Sequence, residues 1–225
     1  MVSIILTNEE LQKLHNLKGT NKQGYYCECI VKHITEQIQD VSRVTLIANK
    51  DNITKGDIRY HRYNDIHYIE VKKGRVWNNI NKACIDGKYT YKGSKGTKRY
   101  RQHKGCTKEW LYNNTYDKIA FAFDNRVYII GNAQLFLSTV RNTIRVATHK
   151  YNSLEDFNRQ WYNTHNDFYI GTGVTGGITN SNKTYETYTI FVDIELFCDT
   201  HNIQYQVIKY NVTNISPFIH QSIMA

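Results

Sequence analysis

The pattern of apolar and polar positions divides the chain into short helices and strands. Apolar residues three and four positions apart predict helices over residues 8–17 and 24–39, and two further helices are predicted at 132–141 and 153–164. Alternating or β-rich runs predict strands at 44–48, 57–60, 66–71, 117–123, 127–130, 167–170, 187–194 and 204–210. This order of elements predicts an α/β (α+β) domain built on a mixed central sheet.

The strands at 57–60 and 66–71 are separated by the turn-prone run Tyr63-Asn64-Asp65, so we expect them to form a hairpin. A tight turn at Tyr63-Asn64 pairs residues whose numbers sum to 127 and sets Asp57 opposite Glu70. A turn one residue later gives a sum of 129 and sets Asp57 opposite Lys72 instead. Since side chains alternate along a strand, Glu70 and Lys72 share one face in both registers.

Two carboxylates and an ammonium group are therefore expected to converge on one face of the hairpin. Neighbouring carboxylates repel each other and gain from a hard cation between them, and Mg²⁺ is typically held by one or two carboxylates together with a substrate phosphate. The alternative is an exposed hairpin that carries a structural ion pair. Three features favour the functional interpretation: Asp57 is in register with the pair, the strand at 66–71 is apolar enough to be central, and a helix that contains Glu28 precedes the hairpin.

The run Gly56-Asp57-Ile58, followed by Tyr68-Ile69-Glu70-Val71-Lys72-Lys73, resembles the core of the PD-(D/E)xK nuclease superfamily. This group includes restriction endonucleases, phage exonucleases and Holliday-junction resolvases. Asp57, Glu70 and Lys72 match the motif one by one, and Gly56 stands where the motif's name has proline. Glu28 fits the acidic residue that some members place on the first helix, although a solvated position beside the apolar stripe explains it equally well.

The resemblance covers roughly residues 24–73 and implies a restriction-endonuclease-like mixed central sheet flanked by helices. It implies a Mg²⁺-dependent endonuclease for double-stranded DNA, in which Mn²⁺ is expected to substitute. Asp57 and Glu70 would bind the metal, Lys72 would position or activate the attacking water, and Glu28 would assist.

A site-specific, type II restriction activity is the leading expectation from this resemblance. A structure-directed phage or repair nuclease and a non-catalytic nucleic-acid-binding protein remain alternatives. One cluster serves one scissile phosphate, so we expect a homodimer for cleavage of both strands, whereas a monomer would nick the strands in turn.

The charge of the chain favours a polyanionic partner, because 29 Lys and Arg against 20 Asp and Glu give a formal net charge of +9. One stretch at residues 87–108 is basic and glycine-rich and contains no Asp or Glu, and we expect it to be a flexible DNA-contacting insertion rather than only a solvated loop. The residues expected to contact DNA are Lys73, Arg75, Lys88, Lys92, Lys95, Lys98, Arg99, Arg101, Lys104 and Lys108.

The remaining features argue for one nuclease domain over residues 1–225. The motif G-x-G-x-x-G at 171–176 is not followed by helix-forming sequence, so we interpret it as a turn or loop. Five cysteines without a CxxC pair favour a reducing compartment, and no apolar run is long enough to span a membrane. We therefore expect a cytoplasmic protein, encoded by a bacterium, a phage or a virus.

Overall fold

The computed structural model describes residues 1–47, 56–77, 80–92, 115–150, 156, 159–161, 163, 167–173 and 184–224, with side chains described outside 75–92, 144, 147–149, 168–173 and 184–190. The chain is a mixed α/β protein, as predicted. Its helices are α1 (Asn8–Asn16), α2 (Gly19–Glu36), α3 (Ala133–Lys150), α4 (Ile194–Thr200) and α5 (Pro217–Met224). Its strands are β1 (Val2–Ile4), β2 (Val41–Leu46), β3 (Ile58–Arg62), β4 (Asp65–Lys73), β5 (Arg75–Trp77), β6 (Ile80–Lys92), β7 (Lys118–Ala122), β8 (Arg126–Ile130), β9 (Phe168–Gly173), β10 (Thr184–Asp193) and β11 (Tyr205–Val212).

Seven strands form the main sheet, in the order β1-β11-β8-β7-β4-β3-β2. β4 runs parallel to β7, and β1 runs parallel to β11, while the other neighbours are antiparallel. The prediction that the strand carrying Glu70 is central is confirmed, because β4 lies between β3 and β7. The predicted mixed sheet is confirmed in the same way.

Helices cover both faces of this sheet. Along β7, Ile119 and Phe121 pack into a core that includes Phe136 and Leu137 of α3, whereas Ala120 faces a second core. That second core contains the apolar stripe of α2 together with Ile58, Tyr60, Ile69 and Val71 of the β3–β4 hairpin. Both faces of β7 and of residues 69–71 in β4 are buried, which fixes these strands at the middle of the molecule.

The helix predicted at 24–39 is longer at its start, since α2 begins at Gly19 and ends at Glu36. Gly24 lies inside it, and packing of the stripe that contains Ile30 and Ile34 outweighs the poor helix propensity of the first turns. The helix predicted at 132–141 is also too short, because α3 continues to Lys150. Asn132 caps it as expected, with its Oδ1 accepting a hydrogen bond from the Leu135 N–H at 2.9 Å.

The β3–β4 hairpin has the first of the two predicted registers. Ile58 pairs with Ile69 and Arg62 pairs with Asp65, so paired residue numbers sum to 127 and the two-residue turn is Tyr63-Asn64. Tyr63 adopts a left-handed conformation with φ of 53°, which suits a tight hairpin turn. The alternative register, with Asp57 opposite Lys72, is wrong because Asp65 already belongs to β4.

A second, antiparallel sheet has the order β5-β6-β10-β9. Its presence corrects two predictions of loop structure. Residues 87–92 of the basic stretch belong to β6, where Lys92 pairs with Thr184, and Gly171–Gly173 of the glycine motif belong to β9. Both segments pair with β10, which is distant from them in sequence, and Tyr89, Thr90 and Tyr91 of the basic stretch are residues that favour strands. Residues 93–108 lie outside the described residues.

Gly56 brings the chain against β4 immediately before β3. Its φ is 87°, and a Cβ atom built there would lie 2.8 Å from the Ile69 carbonyl oxygen and 3.0 Å from the Ile69 carbonyl carbon. Both the backbone conformation and the absence of space therefore demand glycine.

We predict that Gly56→Ala destabilises the fold by about 1–3 kcal/mol, because it imposes left-handed strain and a backbone clash. Gly24→Ala is the matched control, since Gly24 lies within α2 and no atom lies within 4 Å of the position that a Cβ atom would occupy. This control should be neutral or should stabilise the fold by roughly 0.5–1 kcal/mol. Urea unfolding of both variants measures the difference. Equal stability of the two variants would contradict the close approach of Gly56 to β4.

Candidate active site

Asp57, Glu70 and Lys72 lie together at the end of the β3–β4 hairpin that is remote from its turn. The hairpin register places Asp57 opposite Glu70, one position beyond the Ile58–Ile69 pair. Lys72 follows Glu70 by two residues on β4 and therefore shares its face. Asp57 is 8% exposed and Glu70 is 6% exposed, so two acidic side chains are buried side by side. The convergence predicted from the hairpin is confirmed.

Backbone hydrogen bonds fix the position of Asp57. The Val71 N–H donates to Asp57 Oδ2 at 2.8 Å, and the Asp57 N–H donates to the Ile69 carbonyl oxygen at 2.9 Å. On the other side, the Ile47 N–H donates to the Asp57 carbonyl oxygen at 2.8 Å. Asp57 is thus attached to β4 and to the end of β2, although it lies just outside the ladder of β3.

The backbone conformation at Gly56 is incompatible with proline, the residue in the name of the motif that this segment resembles. Proline fixes φ near −65°, whereas Gly56 has a φ of 87°. The turn that delivers Asp57 to β4 therefore excludes proline at this position.

Lys72 forms an ion pair with Glu70 through its Nζ atom and Glu70 Oε1. The Lys72 side chain is 37% exposed, whereas that of Glu70 is 8% exposed. The two carboxylates of the cluster are therefore buried, and the cluster reaches solvent through the Lys72 side chain. A ligand would approach from that side.

Burial, followed by the charge of Glu70, raises the pKa of Asp57 to about 7, against opposing effects of Lys72 and the Val71 N–H. The charge of Glu28 contributes to the increase. A carboxyl group with a pKa near neutrality gains strongly from a cation beside it, because the cation compensates both the lost solvation and the repulsion.

Glu28 of α2 lies within electrostatic reach of the same cluster. Burial raises its pKa, Lys13 lowers it, and the charges of Glu70 and Lys72 act on it in opposite directions. This half-buried position on the helix agrees with the place that the resemblance assigned to Glu28, while a direct role in the site stays a prediction.

Tyr116 is a neighbour of the site that the sequence pattern did not reveal. It is 2% exposed, and burial, then the charges of Glu70 and Asp57, raise the pKa of its hydroxyl. It precedes β7, and the parallel pairing of β7 with β4 brings it to the carboxylates. No local pattern predicts this pairing between distant segments, so the sequence offered no signal for Tyr116.

Among the basic residues expected to contact DNA, Lys73 is the one whose side chain is described. By strand alternation it belongs to the face of Ile69 and Val71. Burial raises the pKa of the Cys27 thiol in α2 to about 12, and the charge of Lys73 opposes this increase. Lys73 therefore does not share the face of Glu70. Arg75, Lys88 and Lys92 lie on β5 and β6 with only their backbone described, and Lys95, Lys98, Arg99, Arg101, Lys104 and Lys108 lie outside the described residues.

Comparison of the chain with family models, with curated proteins and with solved structures finds no match. The resemblance to PD-(D/E)xK nucleases therefore rests on the motif residues of the sequence alone. None of the helices in the described residues is long and apolar enough to cross a membrane.

The carboxylates of Asp57 and Glu70 could hold a hard divalent cation whose remaining ligands come from water and from a substrate. Among the described residues, no three His, Cys, Asp or Glu side chains form a metal-binding group by themselves. Asp57 and Glu70 could supply two oxygen ligands from opposed positions, and burial, followed by the charge of Glu70, raises the pKa of Asp57. Mg²⁺ commonly takes only one or two carboxylates and completes its coordination with water and phosphate.

We predict that wild-type protein without divalent metal loses stability as the pH rises, and that Asp57→Asn does not show this component. The folded-state pKa of Asp57, about 7, exceeds its ordinary value of 3.8, so its contribution is fully present below about pH 4 and is lost as the pH rises through 7. Each pKa unit corresponds to about 1.4 kcal/mol. The variant keeps an oxygen acceptor for the Val71 N–H, so it should unfold at a higher temperature than wild type at pH 8.

Mg²⁺ added at pH 8 should raise the unfolding temperature of wild type and leave that of Asp57→Asn unchanged. Asp65→Asn, at an exposed position of the same hairpin, is the control and should behave like wild type in both series. Identical pH profiles for wild type and Asp57→Asn would refute the assignment of a buried, repelled carboxyl group.

Proposed function

We propose that this protein is a Mg²⁺-dependent endonuclease that hydrolyses phosphodiester bonds of double-stranded DNA. The observation that carries the proposal is the burial of Asp57 opposite Glu70 across the β3–β4 hairpin, with Lys72 on the same face. A structural ion pair on an exposed hairpin would not require two buried carboxylates that repel each other. The net charge of +9 supports a polyanionic substrate.

In this proposal Asp57 and Glu70 hold the metal between them. When bound there, Mg²⁺ would activate a water molecule and neutralise charge that develops on the phosphate. Asp57 is suited to this role because the Val71 N–H fixes its carboxylate in place before any ligand arrives. The protein thus provides preorganised oxygen ligands on a rigid sheet.

Lys72 acts on the reacting oxygen atoms. Its ammonium group already lies against Glu70 and reaches solvent, so it is placed to hold the attacking water or to stabilise negative charge on the phosphate. In the reaction, the attacking water loses a proton as its oxygen forms a bond to phosphorus, and the ester oxygen leaves with the bonding electron pair and takes up a proton. Glu28 would assist from α2 through its charge.

Site-specific cleavage in the manner of a type II restriction endonuclease is part of the proposal, as is a homodimer that presents equivalent sites to both strands. Digestion of mapped plasmid DNA with and without Mg²⁺, followed by sequencing of the ends, tests it. Discrete ends support the proposed specificity, and structure-dependent cutting would favour a resolvase-like nuclease. Binding without metal-dependent cutting would leave a nucleic-acid-binding protein.

We predict that Asp57→Asn abolishes cleavage but retains DNA binding, because it removes a metal-binding charge and keeps the shape of the side chain. Lys72→Ala should lower the cleavage rate at least about 100-fold, a typical effect of removing one transition-state donor. Lys72→Arg should not restore it, since a planar guanidinium cannot replace a compact ammonium beside a water molecule. Plasmid cleavage measures these rates, with Asp65→Asn as control, and near-wild-type cutting by Asp57→Asn would disprove the site.

A further prediction concerns the basic stretch. Replacement of Lys95, Lys98, Arg99 and Arg101 by Ala should weaken binding to every DNA sequence, because each of these side chains is expected to neutralise a phosphate. The slope of log K against log [salt] should decrease by about 0.9 for each phosphate that is no longer neutralised. Anisotropy titrations of labelled duplex at several salt concentrations measure this slope. An unchanged slope would indicate that the stretch is solvated and does not touch DNA.

A further inference from the structure

The strand that follows Asp57 carries a second charged residue on the same side of the sheet. Since side chains alternate along β3, Asp57 and Arg59 share one face, while Ile58 and Tyr60 point into the core beneath α2. Both Ile58 and Tyr60 are buried, and Arg59 is exposed, which agrees with this alternation. Arg59 therefore lies beside the carboxylates without being part of their buried cluster.

The face that carries Arg59 is open at this end of the sheet. Thr45 of β2 pairs with Arg59 and is also exposed, so none of the helices in the described residues covers the face at these two positions. Tyr68 of β4, on the other side of Arg59, is half-buried and packs against the core that contains α3. In the described residues, this face is thus covered by α3 over β7 and β8 and exposed over β2 and β3, and we call the exposed part the open face. Asp57 and Glu70 lie at the boundary between the two parts.

Arg59 and Lys72 stand on opposite sides of the carboxylate pair. The two strands are antiparallel, so two residues forward from Asp57 on β3 and two residues forward from Glu70 on β4 lead in opposite directions. Each step of two residues spans about 7 Å along a strand. The resulting row, which consists of Arg59, the Asp57–Glu70 pair and Lys72, alternates positive, negative and positive charge along the open face.

This spacing matches a polyanion with regularly spaced charges. Neighbouring phosphates of a nucleic acid strand are separated by a distance comparable with the step from Asp57 to Arg59. A phosphate held at the carboxylates through a cation would place the next phosphate of the same strand within reach of the flexible Arg59 side chain. Arginine binds phosphate oxygens with two parallel hydrogen bonds, which gives the contact direction as well as charge.

We propose that Arg59 binds the phosphate adjacent to the one that is cut, and so sets the path of the DNA strand along the open face of β3. This inference rests on the proposed nuclease function and extends it to the direction of the substrate strand. Arg59 is a phosphate-binding residue and takes no part in the chemical step.

Arg62 provides a matched comparison on the same strand. It is also an exposed arginine of β3, but alternation places it with Ile58 and Tyr60 on the opposite face, and its guanidinium lies 5.7 Å from the Tyr63 ring centroid. If only the positive charge of β3 contributed to DNA binding, substitution of either arginine by Ala would weaken binding equally. A phosphate contact on the open face predicts a loss for Arg59 and not for Arg62.

The test compares Arg59→Ala, Arg59→Lys and Arg62→Ala, each combined with Asp57→Asn so that bound DNA stays intact. Binding of a short labelled duplex of mixed sequence is measured by anisotropy at several salt concentrations, and thermal unfolding verifies that each variant is folded. Arg59→Ala should bind about tenfold more weakly, as expected when a charged hydrogen bond is removed, with a salt slope smaller by about 0.9. Arg59→Lys should keep the wild-type slope, and Arg62→Ala should keep both values.

Equal affinity and slope for Arg59→Ala and the parent would overturn the inference, as would equal losses in the Arg59→Ala and Arg62→Ala variants. The same substitution in the otherwise wild-type protein should raise KM for plasmid cleavage and leave kcat nearly unchanged, and a loss confined to kcat would also overturn it. Cleavage by wild type together with unaltered binding by Arg59→Ala would refute this inference alone. An Arg59-dependent salt slope without metal-dependent cleavage would refute the nuclease function and keep the assignment of a phosphate contact.

Discussion

The register of the β3–β4 hairpin is the constraint on which the site depends. A slip of one residue would move Glu70 away from Asp57 and send every side chain of one strand to the opposite face. Three local features fix the register: the two-residue turn at Tyr63-Asn64, the close approach of Gly56 to the Ile69 carbonyl, and the hydrogen bond from the Val71 N–H to Asp57. Ile58 and Tyr60 are buried beneath α2, and a slip would move these apolar side chains out of the core, which destabilises any other register.

Burial of Asp57 beside Glu70 destabilises the folded state electrostatically. Burial of a carboxyl group disfavours its charged form, and a second carboxylate beside it adds repulsion. Lys72 offsets part of this destabilisation through its ion pair with Glu70, but the pKa of Asp57 remains raised. A destabilised pair of this kind would gain from a bound cation, which is the basis of the proposed metal site.

The parts of the fold that were predictable are those that depend on local sequence. The hairpin could be predicted because its strands, its turn and its pattern of alternating faces lie within one short segment, and the same holds for the hairpin of β7 and β8. The second sheet could not, because it joins segments that are distant in sequence, with β10 pairing with β6 on one side and with β9 on the other. Tyr116 was missed for the related reason that the parallel pairing of β4 with β7 joins distant segments.

Asp57 is a buried carboxyl group that faces Glu70, and the proposed function requires that a divalent cation relieves their repulsion. Carbon-detected NMR of the side-chain carboxyl of Asp57, followed over pH with and without Mg²⁺ and assigned through Asp57→Asn, measures this directly. We expect an apparent pKa near 7 without metal and a clear decrease when Mg²⁺ is present. A pKa near the ordinary value for aspartate that does not respond to Mg²⁺ would contradict both the burial of the pair and its role as a metal site.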